Sequence, residues 1–412
     1  MAVQLKSIRG VHDGLPQDVR QWQQVEQRAR AIFKRYAFEE VRLPILEPTE
    51  LFVRSIGEAT DIVSKEMYHF VDQGGDDLCL RPEGTAGAVR AFLQAGLTRA
   101  GAQRWFYAGP MFRRERPQKG RLRQFQQIGV EWFGGEGPSE DIELLAMAAA
   151  FLEDLGISQV RMEINSLGCQ QCRPLYRDLL VKFLTTQHAN LCETCCERMD
   201  KNPLRVLDCK IASCQNALTD APEMVAHLCE GCDQHFTGLK SGLDALKVPY
   251  RVNPRIVRGL DYYNRTAFEA VTDQLGSQGT VLAGGRYDGL VAELGGEATP
   301  AIGFAMGVER LAMLLPEAES ASVDVAVITM GDALLNHSLN LAQQLRHADL
   351  CVVHCGLGNS KKQFKRANRE QARFVVVIGE SEAAQGLISL KNMATGEQQQ
   401  ITLEAALQVI AG

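Results

Sequence analysis

The sequence contains no apolar run of about 18 residues, the length that a membrane-spanning helix requires. Its first residues, MAVQLKSIRG, include no apolar segment typical of a secretory signal. It also has no excess of basic residues, because 44 Lys and Arg are set against 50 Asp and Glu, for a net charge of −6. These absences predict a cytoplasmic protein without a membrane partner, and they restrict any nucleic-acid contact to a local basic patch.

The common glycine-rich phosphate loops are absent as well. The sequence has neither a Walker motif nor a GxGxxG motif, and it shows no internal repeat and no low-complexity tract. If the chain binds a nucleotide, it must therefore hold the phosphates by other means. Arginines on an antiparallel sheet are the alternative that the rest of the sequence favours.

The chain of 412 residues, 45 % apolar and 23 % charged, has the composition of two or three globular domains. A linker is predicted at 316–322 (PEAESAS), between residues 1–320 and residues 323–412. In the second region, apolar runs of strand length alternate with helical stretches, which predicts a small α/β domain with a mixed or parallel sheet covered on both faces. Within the first region, residues 169–240 differ in composition and are predicted to form an insertion.

A long hairpin is predicted for residues 104–133, where two β-rich runs flank a polar tip. The tip at 113–123 has six basic residues and one acid. The basic residues are Arg113, Arg114, Arg116, Lys119, Arg121 and Arg123. A solvated charged turn and a phosphate-binding loop are both compatible with this run, since the planar guanidinium group suits phosphate oxygens.

The strand after the tip favours the binding interpretation. Side chains alternate between the faces of a strand, so Ile128, Val130 and Trp132 are predicted to share the core face. Gln127, Gly129 and Glu131 would share the other face. A glycine in the middle of a strand is unfavourable unless something approaches the backbone closely, so Gly129 is predicted to form the floor under a small polar ligand.

Two further segments have candidate ligand contacts. Residues 81–85 (RPEGT) suggest the end of a strand that turns into a helix; alternatively, Thr85 caps that helix and Glu83 is exposed. Residues 258–266 contain Tyr262 and Tyr263, which would face opposite ways in a regular strand. Both can contact one ligand only if a bulge or break near Gly259 re-aims one of them.

Residues 284–288 (GGRYD) and 301–311 complete the candidate site. The paired glycines Gly284 and Gly285 are predicted to allow close approach of a flat ligand, and Arg310 is placed early in a helix that starts near Gly307. From there its guanidinium group would reach a phosphate from the far wall of the site.

Twelve cysteines require a separate explanation, because nine of them lie from Cys169 to Cys232 and most come as close pairs. Clustered pairs in a reducing compartment point to metal before disulfides, and four pairs suit one or two tetrahedral zinc sites. The alternative is unliganded thiols in a small insertion. The candidate ligands are Cys169, Cys172, Cys192, Cys195, Cys209, Cys214, Cys229 and Cys232.

Taken in order, these motifs resemble those of class II aminoacyl-tRNA synthetases, and of the histidyl-tRNA synthetase family in particular. The matching segments are 8–16, 42–44, 81–85, 112–131, 258–269, 284–288 and 301–311. The resemblance implies an α+β catalytic domain at 1–320 on a mainly antiparallel sheet, with the helical Cys-rich insertion at 169–240 inside it. It also implies an α/β anticodon-binding domain at 323–412.

The resemblance implies ATP-dependent ligation of L-histidine to its tRNA through histidyl-adenylate, with release of diphosphate and AMP. Mg²⁺ would bridge the ATP phosphates. Arg113 would bind the α-phosphate and the amino-acid carboxylate. Arg121 and Arg310 would bind the outer phosphates, and Arg258 would be the catalytic arginine beside the α-phosphate.

The same resemblance implies the contacts to histidine. Glu83 and Thr85, with Gly84 between them, would bind the α-amino group. Glu131, Tyr262 and Tyr263 would contact the imidazole. The side-chain amide of Gln127 would hold the amino acid between these residues.

The implied partners are a histidine tRNA and a second copy of the chain, with neither DNA nor a membrane. The hairpin tip would meet the acceptor end of the tRNA through Arg116, Gln118 and Arg123.

Two other functions stay open. A regulatory, non-catalytic paralogue in histidine biosynthesis typically lacks the C-terminal domain and has altered histidine-specific segments. A stand-alone RNA-binding protein would not need the arginines of the site.

Overall fold

A computed structural model describes residues 5–57, 60–118, 120–260, 262–276, 279–317 and 323–411. Lys119 of the basic tip and residues 318–322 of the predicted linker lie outside this set. The chain divides into two compact units, Met1–Glu317 and Ala318–Gly412, and each is described by itself. None of the described helices combines the length and the apolar composition that crossing a bilayer requires.

The first unit is built on one large and one small sheet. Its described strands are β1 (Glu39–Glu40), β2 (Leu46–Pro48), β3 (Tyr68–Val71), β4 (Asp77–Leu80), β5 (Gln103–Phe112), β6 (Gln124–Phe133), β7 (Arg161–Ser166), β8 (Arg251–Val252), β9 (Asn264–Val271), β10 (Thr280–Arg286) and β11 (Ala301–Gly307). The large sheet has the order β1-β5-β6-β11-β10-β9-β7-β8 and is antiparallel except for the edge pairs β1–β5 and β7–β8. The mainly antiparallel sheet predicted for this region is thus confirmed.

Helices cover both faces of the large sheet. Those that the structure describes in this unit are α1 (Pro16–Arg35), α2 (Thr49–Ile56), α3 (Thr85–Gln94), α4 (Pro138–Asp154), α5 (Cys172–Thr186), α6 (Glu193–Lys201), α7 (Ala212–Ala217), α8 (Glu230–Ala245), α9 (Leu290–Glu293) and α10 (Val308–Ala312). Apolar residues of α1, α4 and α8 pack on one face, and those of α2, α3 and α9 pack on the other. Helices α5 to α8 form the Cys-rich insertion, which is helical as predicted.

The predicted hairpin consists of β5 and β6, which pair in register from Gln103 with Phe133 to Phe112 with Gln124. Ile128, Val130 and Trp132 belong to the apolar core on the α1 and α4 side, as alternation predicts. The opposite face of β6 is therefore free to present polar side chains.

The second unit is an α/β domain. Its described elements are β12 (Val325–Thr329), α11 (Leu335–His347), β13 (Val352–His354), α12 (Ser360–Arg369), β14 (Phe374–Ile378), α13 (Glu380–Gln385), β15 (Ile388–Asn392), β16 (Gln398–Ile401) and α14 (Leu403–Ala411). The sheet order is β13-β12-β14-β15-β16, parallel over the first three strands and antiparallel beyond them. Separate apolar clusters cover its two faces, so the predicted mixed sheet is confirmed.

A buried ionic network connects β10 to α4, through Arg286 on the strand and Asp141 on the helix. The guanidinium group of Arg286, which is fully buried, bonds Asp141 (Nε to Oδ1, 3.0 Å) and donates to the carbonyl of Gly137 at 3.0 Å. Asp141 also accepts from Thr266, and His235 Nε2 lies 2.7 Å from its Oδ2. Burial alone would raise the pKa of Asp141, but the hydrogen bond with His235 and the charge of Arg286 outweigh burial and lower it.

Replacing Arg286 by methionine should lower the free energy of unfolding of the first unit by about 3–5 kcal/mol, because the Asp141 carboxylate then stays buried without its cation. Urea unfolding followed by tryptophan fluorescence reports on this unit, since Trp22, Trp105 and Trp132 all lie in it.

The matched control is Arg161→Met, which breaks a solvent-exposed ion pair with Asp273 and should hardly move the transition. Equal midpoints for the wild type and Arg286→Met would contradict the structural role of the network.

Candidate active site

A cleft with an empty volume of about 950 Å³ opens over β6, β10 and β11. It is bounded by the start of α3, by the loop between β5 and β6, and by the segment that precedes β9. The structure brings nine of the sequence-predicted site residues to its walls. These are Glu83, Thr85, Arg113, Arg121, Gln127, Arg258, Tyr262, Tyr263 and Arg310.

The start of α3 supplies one end of the cleft. The Glu83 carboxylate accepts hydrogen bonds from the backbone N–H groups of Thr85 (2.7 Å) and Ala86 (2.8 Å), which have no partner within the helix. Glu83 is only 4 % exposed, and burial raises its pKa. The alternative of an exposed Glu83 beside a capping Thr85 is therefore wrong, because Glu83 is buried and is itself the cap.

Glu131 lies beneath the cleft, 1 % exposed, within a ring of hydroxyl groups. Its Oε1 accepts from Thr85 Oγ1 at 2.8 Å and from Tyr107 Oη at 3.0 Å, and its Oε2 accepts from the hydroxyl of Tyr287. Burial raises the pKa of Glu131 to about 8, although the hydrogen bonds from Tyr287 and Thr85 lower it. The carboxyl group therefore changes its charge close to neutral pH.

The sequence predicted that Gly129 forms the floor under a ligand, and this prediction is wrong. A Cβ atom on Gly129 would lie 2.3 Å from Tyr107 Oη, and a Cβ on Gly84 would lie 2.2 Å from Tyr107 Cε2. These two glycines therefore flank the Tyr107 ring and make room for it. Gly303 has a similar role, because its Cβ would lie 2.0 Å from Glu131 Oε2.

The prediction for Gly284 and Gly285 also requires correction. A Cβ on Gly284 would meet the carbonyl oxygen of Gly303 at 2.2 Å, and a Cβ on Gly285 would meet Thr266 O at 2.6 Å and Tyr263 Cδ1 at 2.9 Å. The close approach that these glycines permit is thus made by the neighbouring strands and by Tyr263, not by a flat ligand.

Tyr262 and Tyr263 both reach the cleft because they are not in a strand. Strand β9 begins only at Asn264, and the backbone before it is irregular, so the alternation expected of a strand does not apply. Both rings are buried, with centroids 4.6 Å apart. Asp261, between Arg258 and these tyrosines, lies outside the described residues.

Four guanidinium groups surround the rest of the cleft. Arg113 Nε donates to Pro82 O at 2.8 Å, and Arg258 Nη1 donates to Glu269 Oε1 at 2.7 Å. Arg121 pairs with Glu115 at 3.0 Å. Arg310, on α10, donates from Nε to the carbonyl of Gly120 and from Nη1 to that of Thr280, both at 2.8 Å. Anchored cations that converge on one cleft suit a ligand with several phosphate groups.

Five buried polar atoms of residues that line the cleft have no hydrogen-bond partner within the described residues. Two of them, Arg121 Nε and Glu115 Oε2, face each other as an ion pair at 3.0 Å. The other three are Gln127 Oε1, Arg258 Nε and Tyr262 Oη. Buried polar atoms are normally paired, so this combination of an acceptor and donors indicates a polar ligand that supplies the missing partners.

Sequence reasoning missed several residues of the site. Tyr107 pairs directly with Gly129 across the hairpin, and an aromatic residue opposite a mid-strand glycine was the available signal. Glu115 was visible as the only acid of the basic tip. Glu309 also lines the cleft; it accepts from the Gln126 amide at 2.7 Å, and burial raises its pKa to about 7.

The sequence model of the histidyl-tRNA synthetase family matches residues 10–311, and that of an anticodon binding domain matches residues 324–412. The chain is 49 % identical over 405 residues to a histidine–tRNA ligase of Trichlorobacter lovleyi, which covers 98 % of this chain and 97 % of that protein. The chain belongs to the histidyl-tRNA synthetase family.

Other members agree with this assignment. A histidine–tRNA ligase of Syntrophotalea carbinolica is 48 % identical over 410 residues, with 98 % of each chain covered. The crystal structure of apo S. aureus histidyl-tRNA synthetase superposes with a TM-score of 0.82 at 34 % identity, covering 99 % of this chain and 100 % of that one. The fold expected from the resemblance is therefore confirmed.

The loop between β5 and β6 exposes its basic residues to different extents. Arg116 and Gln118 are exposed. Arg123 is only half-exposed, and its Nε lies 3.3 Å from the carbonyl of Glu115. The backbone amide of Arg123 also donates to the carbonyl of Gly10 at 2.7 Å, so Arg123 fastens the base of the loop.

The eight cysteines of the insertion form two separate sets of four. One is Cys169, Cys172, Cys229 and Cys232; the other is Cys192, Cys195, Cys209 and Cys214. Within each set all Sγ atoms lie within 4.8 Å of one another. The sequence could not show which pairs meet, and Cys196, adjacent to Cys195, belongs to neither set.

The sulfur distances fit a shared metal ion rather than disulfides. Cys169 Sγ lies 3.7 Å from Cys172 Sγ and 3.8 Å from Cys229 Sγ, and Cys192 Sγ lies 4.0 Å from Cys209 Sγ. Zn–S bonds of about 2.3 Å in a tetrahedron place the sulfurs about 3.8 Å apart, whereas a disulfide needs about 2.0 Å. Both sets can therefore hold a tetrahedral ion.

The raised pKa of Glu131 predicts a pH-dependent stability. Between the ordinary value of 4.5 and the folded-state value of about 8, the folded chain keeps a proton that the unfolded chain has lost. This contribution of Glu131 therefore makes the folded state less stable as pH rises through that window. Glutamine does not titrate, so Glu131→Gln lacks this pH-dependent contribution. As pH rises, the free energy of unfolding of the wild type should therefore fall relative to that of the variant.

Urea unfolding of both proteins at several pH values across this window measures the difference. Parallel pH profiles would show that the pKa of Glu131 is not raised.

Proposed function

We propose that the chain ligates L-histidine to its cognate tRNA in two steps, through histidyl-adenylate, with release of diphosphate and then AMP. The observation that carries this proposal is one cleft that combines two chemically different sets of groups. Its lining includes four guanidinium groups together with the carboxyl group of Glu83, the amide of Gln127 and a pair of tyrosines. Membership of the histidyl-tRNA synthetase family supports the same reaction.

Arginines perform the phosphate chemistry in this proposal. Arg113 binds the α-phosphate together with the histidine carboxylate, and Arg121 and Arg310 hold the outer phosphates. Attack of a carboxylate on phosphorus brings anions together and builds negative charge in the transition state. Arg258 stabilises that charge, since a group already anchored by Glu269 need not reorganise during the reaction. No protein base is required, because the histidine carboxylate is already ionised.

The carboxyl, amide and tyrosine side chains of the cleft bind the amino acid. We assign the α-amino group to Glu83 and Thr85, which form the polar start of α3. The free Oε1 of buried Gln127 supplies an acceptor between this region and the imidazole.

The imidazole contacts are assigned to Tyr262, Tyr263 and Glu131. The unpartnered hydroxyl of Tyr262 offers a hydrogen bond. Glu131 lies beneath the cleft and joins Thr85, which lines it, through the hydrogen bond from Thr85 Oγ1 to Glu131 Oε1.

Mg²⁺ on the ATP would neutralise the outer phosphates. The cleft includes two carboxylates suited to such an ion, Glu115 and Glu309. Glu115 also pairs with Arg121, which places it beside the proposed phosphate contacts.

Contact with tRNA is assigned to both units. In the first unit, the exposed Arg116 and Gln118 meet the acceptor end, and Arg123 holds the loop that presents them. In the second unit, α12 turns a cluster of exposed basic residues outward while Gln363 and Ala367 face the core. The cluster consists of Lys361, Lys362, Lys365, Arg366 and Arg369.

We propose a homodimer in the cytoplasm. The segment that resembles the first class motif, 42–44, is followed by the exposed apolar residues Ile45 and Leu46, and the Arg42 side chain is 88 % exposed. Apolar side chains exposed next to each other favour burial against a second copy. Sedimentation at micromolar concentration would test this state directly.

Each cysteine set is proposed to hold one structural Zn²⁺. Backbone amides point at the sulfurs, as expected for thiolates: Cys229 N donates to Cys172 Sγ and Cys192 N to Cys214 Sγ, both at 3.1 Å. All four ligands of each site come from the protein, which is typical of a structural and not a catalytic ion.

The zinc proposal predicts about two equivalents of zinc per chain after exhaustive dialysis, one for each cysteine set. The double variant Cys209→Ser/Cys214→Ser should retain about one equivalent. Inductively coupled plasma mass spectrometry measures both proteins. Less than about a tenth of an equivalent in the wild type would rule the zinc sites out.

The reaction is tested by pyrophosphate exchange into ATP with each of the twenty amino acids. Exchange with histidine alone is expected. Folded protein that exchanges with none of them would favour the regulatory, non-catalytic paralogue instead.

Arg258→Ala should lower histidine-dependent exchange by about 10²–10³-fold, because one fixed donor to transition-state charge is worth that much. Arg251→Ala is the control, since Arg251 is exposed on β8 away from the cleft. Exchange at the wild-type rate in Arg258→Ala would remove this residue from the catalytic group.

A further inference from the structure

The insertion contacts the candidate active site through two arginines. Each of them lies next to, or between, the cysteines of one set. Arg173 directly follows Cys172 and donates from Nη2 to the backbone carbonyl of Tyr263. Arg205 lies between Cys195 and Cys209 and donates from Nη1 to the carbonyl of Arg258 at 3.2 Å.

These two carbonyls lie at the two ends of segment 258–263, of which the structure describes residues 258–260 and 262–263. The segment contains the proposed catalytic arginine and both tyrosines, yet its described residues precede β9 and belong to no strand, so no ladder of strand hydrogen bonds fixes them. Backbone polar groups must find partners elsewhere when a strand does not supply them. At Arg258 and Tyr263, side chains of the insertion supply those partners.

Residues near the set Cys192, Cys195, Cys209 and Cys214 also contact Asp61, which lies outside the insertion. Arg198 Nη2 donates to Asp61 Oδ2 at 2.8 Å, and Arg205 Nη2 lies 3.7 Å from the same oxygen. A Cβ on Gly259 would come within 3.0 Å of Arg205 Nη1, so this glycine leaves the space that the guanidinium group enters.

The first cysteine set is joined to the catalytic unit through the backbone. Leu167 N donates to Arg265 O at 2.6 Å, and Arg265 N donates to Gly168 O at 2.8 Å. Gly168, at a φ of +62°, turns the chain into Cys169. A Cβ on Gly168 would lie 2.8 Å from Cys172 Cβ, so the turn packs directly on this set.

We infer that the two tetrathiolate sites, with metal bound, hold Arg173 and Arg205 in place and thereby fix segment 258–263 in its working geometry. Arg173 and Arg205 are positioning residues, since each contacts a backbone carbonyl and neither is assigned to substrate. A metal bound by Cys192, Cys195, Cys209 and Cys214 would close a loop of the chain that contains Arg205. Closing this loop restricts the positions that the Arg205 side chain can take. The inference rests on the proposed function and on the zinc sites.

The two arginines should affect different kinetic constants. Arg205 supports Arg258, the residue proposed to act on the transition state, so Arg205→Met should lower the turnover rate of exchange with little change in KM for histidine. Arg173 supports Tyr263, proposed to contact the imidazole, so Arg173→Met should raise KM for histidine. A misplacement of about 1 Å can cost about 10²-fold, so losses of about tenfold or more are expected.

The matched control is Arg177→Met, which removes an exposed arginine of the same helix α5 whose Nη2 donates to Asp200 O at 3.2 Å. Zinc content and thermal midpoint are measured for all three variants. Arg205→Lys keeps a donor and should recover part of the turnover. A purely structural role would lower the thermal midpoint and leave the turnover of the folded fraction, and its KM, unchanged.

Hydrogen exchange of a peptide that covers 258–263 gives a readout without catalysis. Amide exchange in this peptide should be faster in Arg173→Met, in Arg205→Met and after zinc removal, and unchanged in Arg177→Met. Unchanged protection in zinc-loaded Arg173→Met and Arg205→Met would overturn the inference.

The possible failures can be told apart. Wild-type protein without zinc would refute the metal sites, and zinc-loaded protein without histidine-dependent exchange would refute the proposed function. An active, zinc-loaded wild type whose two arginine variants behave as Arg177→Met does would refute only the positioning role.

Discussion

The burial of the Glu131 carboxyl group under the cleft governs most of the surrounding architecture. A buried carboxyl must have hydrogen-bond partners, and here three hydroxyl groups supply them. Tyr107 reaches Glu131 only because Gly84 and Gly129 lack side chains, and Gly303 leaves room for the carboxylate itself. These three glycines are thus explained by one polar group, whose pKa burial raises to about 8.

The main elements of the fold were predictable because they follow from local periodicity. The alternation in β6 determines which face is buried, and the unbroken apolar runs of the second unit indicate strands that are covered on both faces. The site residues Arg113, Arg258 and Arg310 were predictable from motif order. Their meeting at one site was expected from the family resemblance and not from spacing, because it depends on the order of strands in the sheet, which sequence spacing does not determine.

The glycines and cysteines show where sequence reasoning stops. Gly129 was correctly read as a close approach, but the approaching group is Tyr107, which sequence separation hides. The spacing of the cysteine pairs indicated metal ligands, yet only the packing of α5 to α8 shows which pairs share a site. The sequence required a bulge or break near Gly259 if Tyr262 and Tyr263 were both to contact one ligand, and both line the cleft because β9 begins only at Asn264.

The two walls of the site are held by different physical means. On the β6 and β10 side, strand pairing and the buried Asp141–Arg286 network fix the backbone, so the side chains of Gln127 and Glu131 start from a backbone that the sheet holds. On the side of segment 258–263, two of the carbonyls depend on side chains of the insertion, Arg173 and Arg205. Anchoring by single side chains is easier to release than a ladder of strand hydrogen bonds. The geometry of Arg258 and the tyrosines is therefore sensitive to the state of the cysteine sets in a way that Glu131 and Gln127 are not.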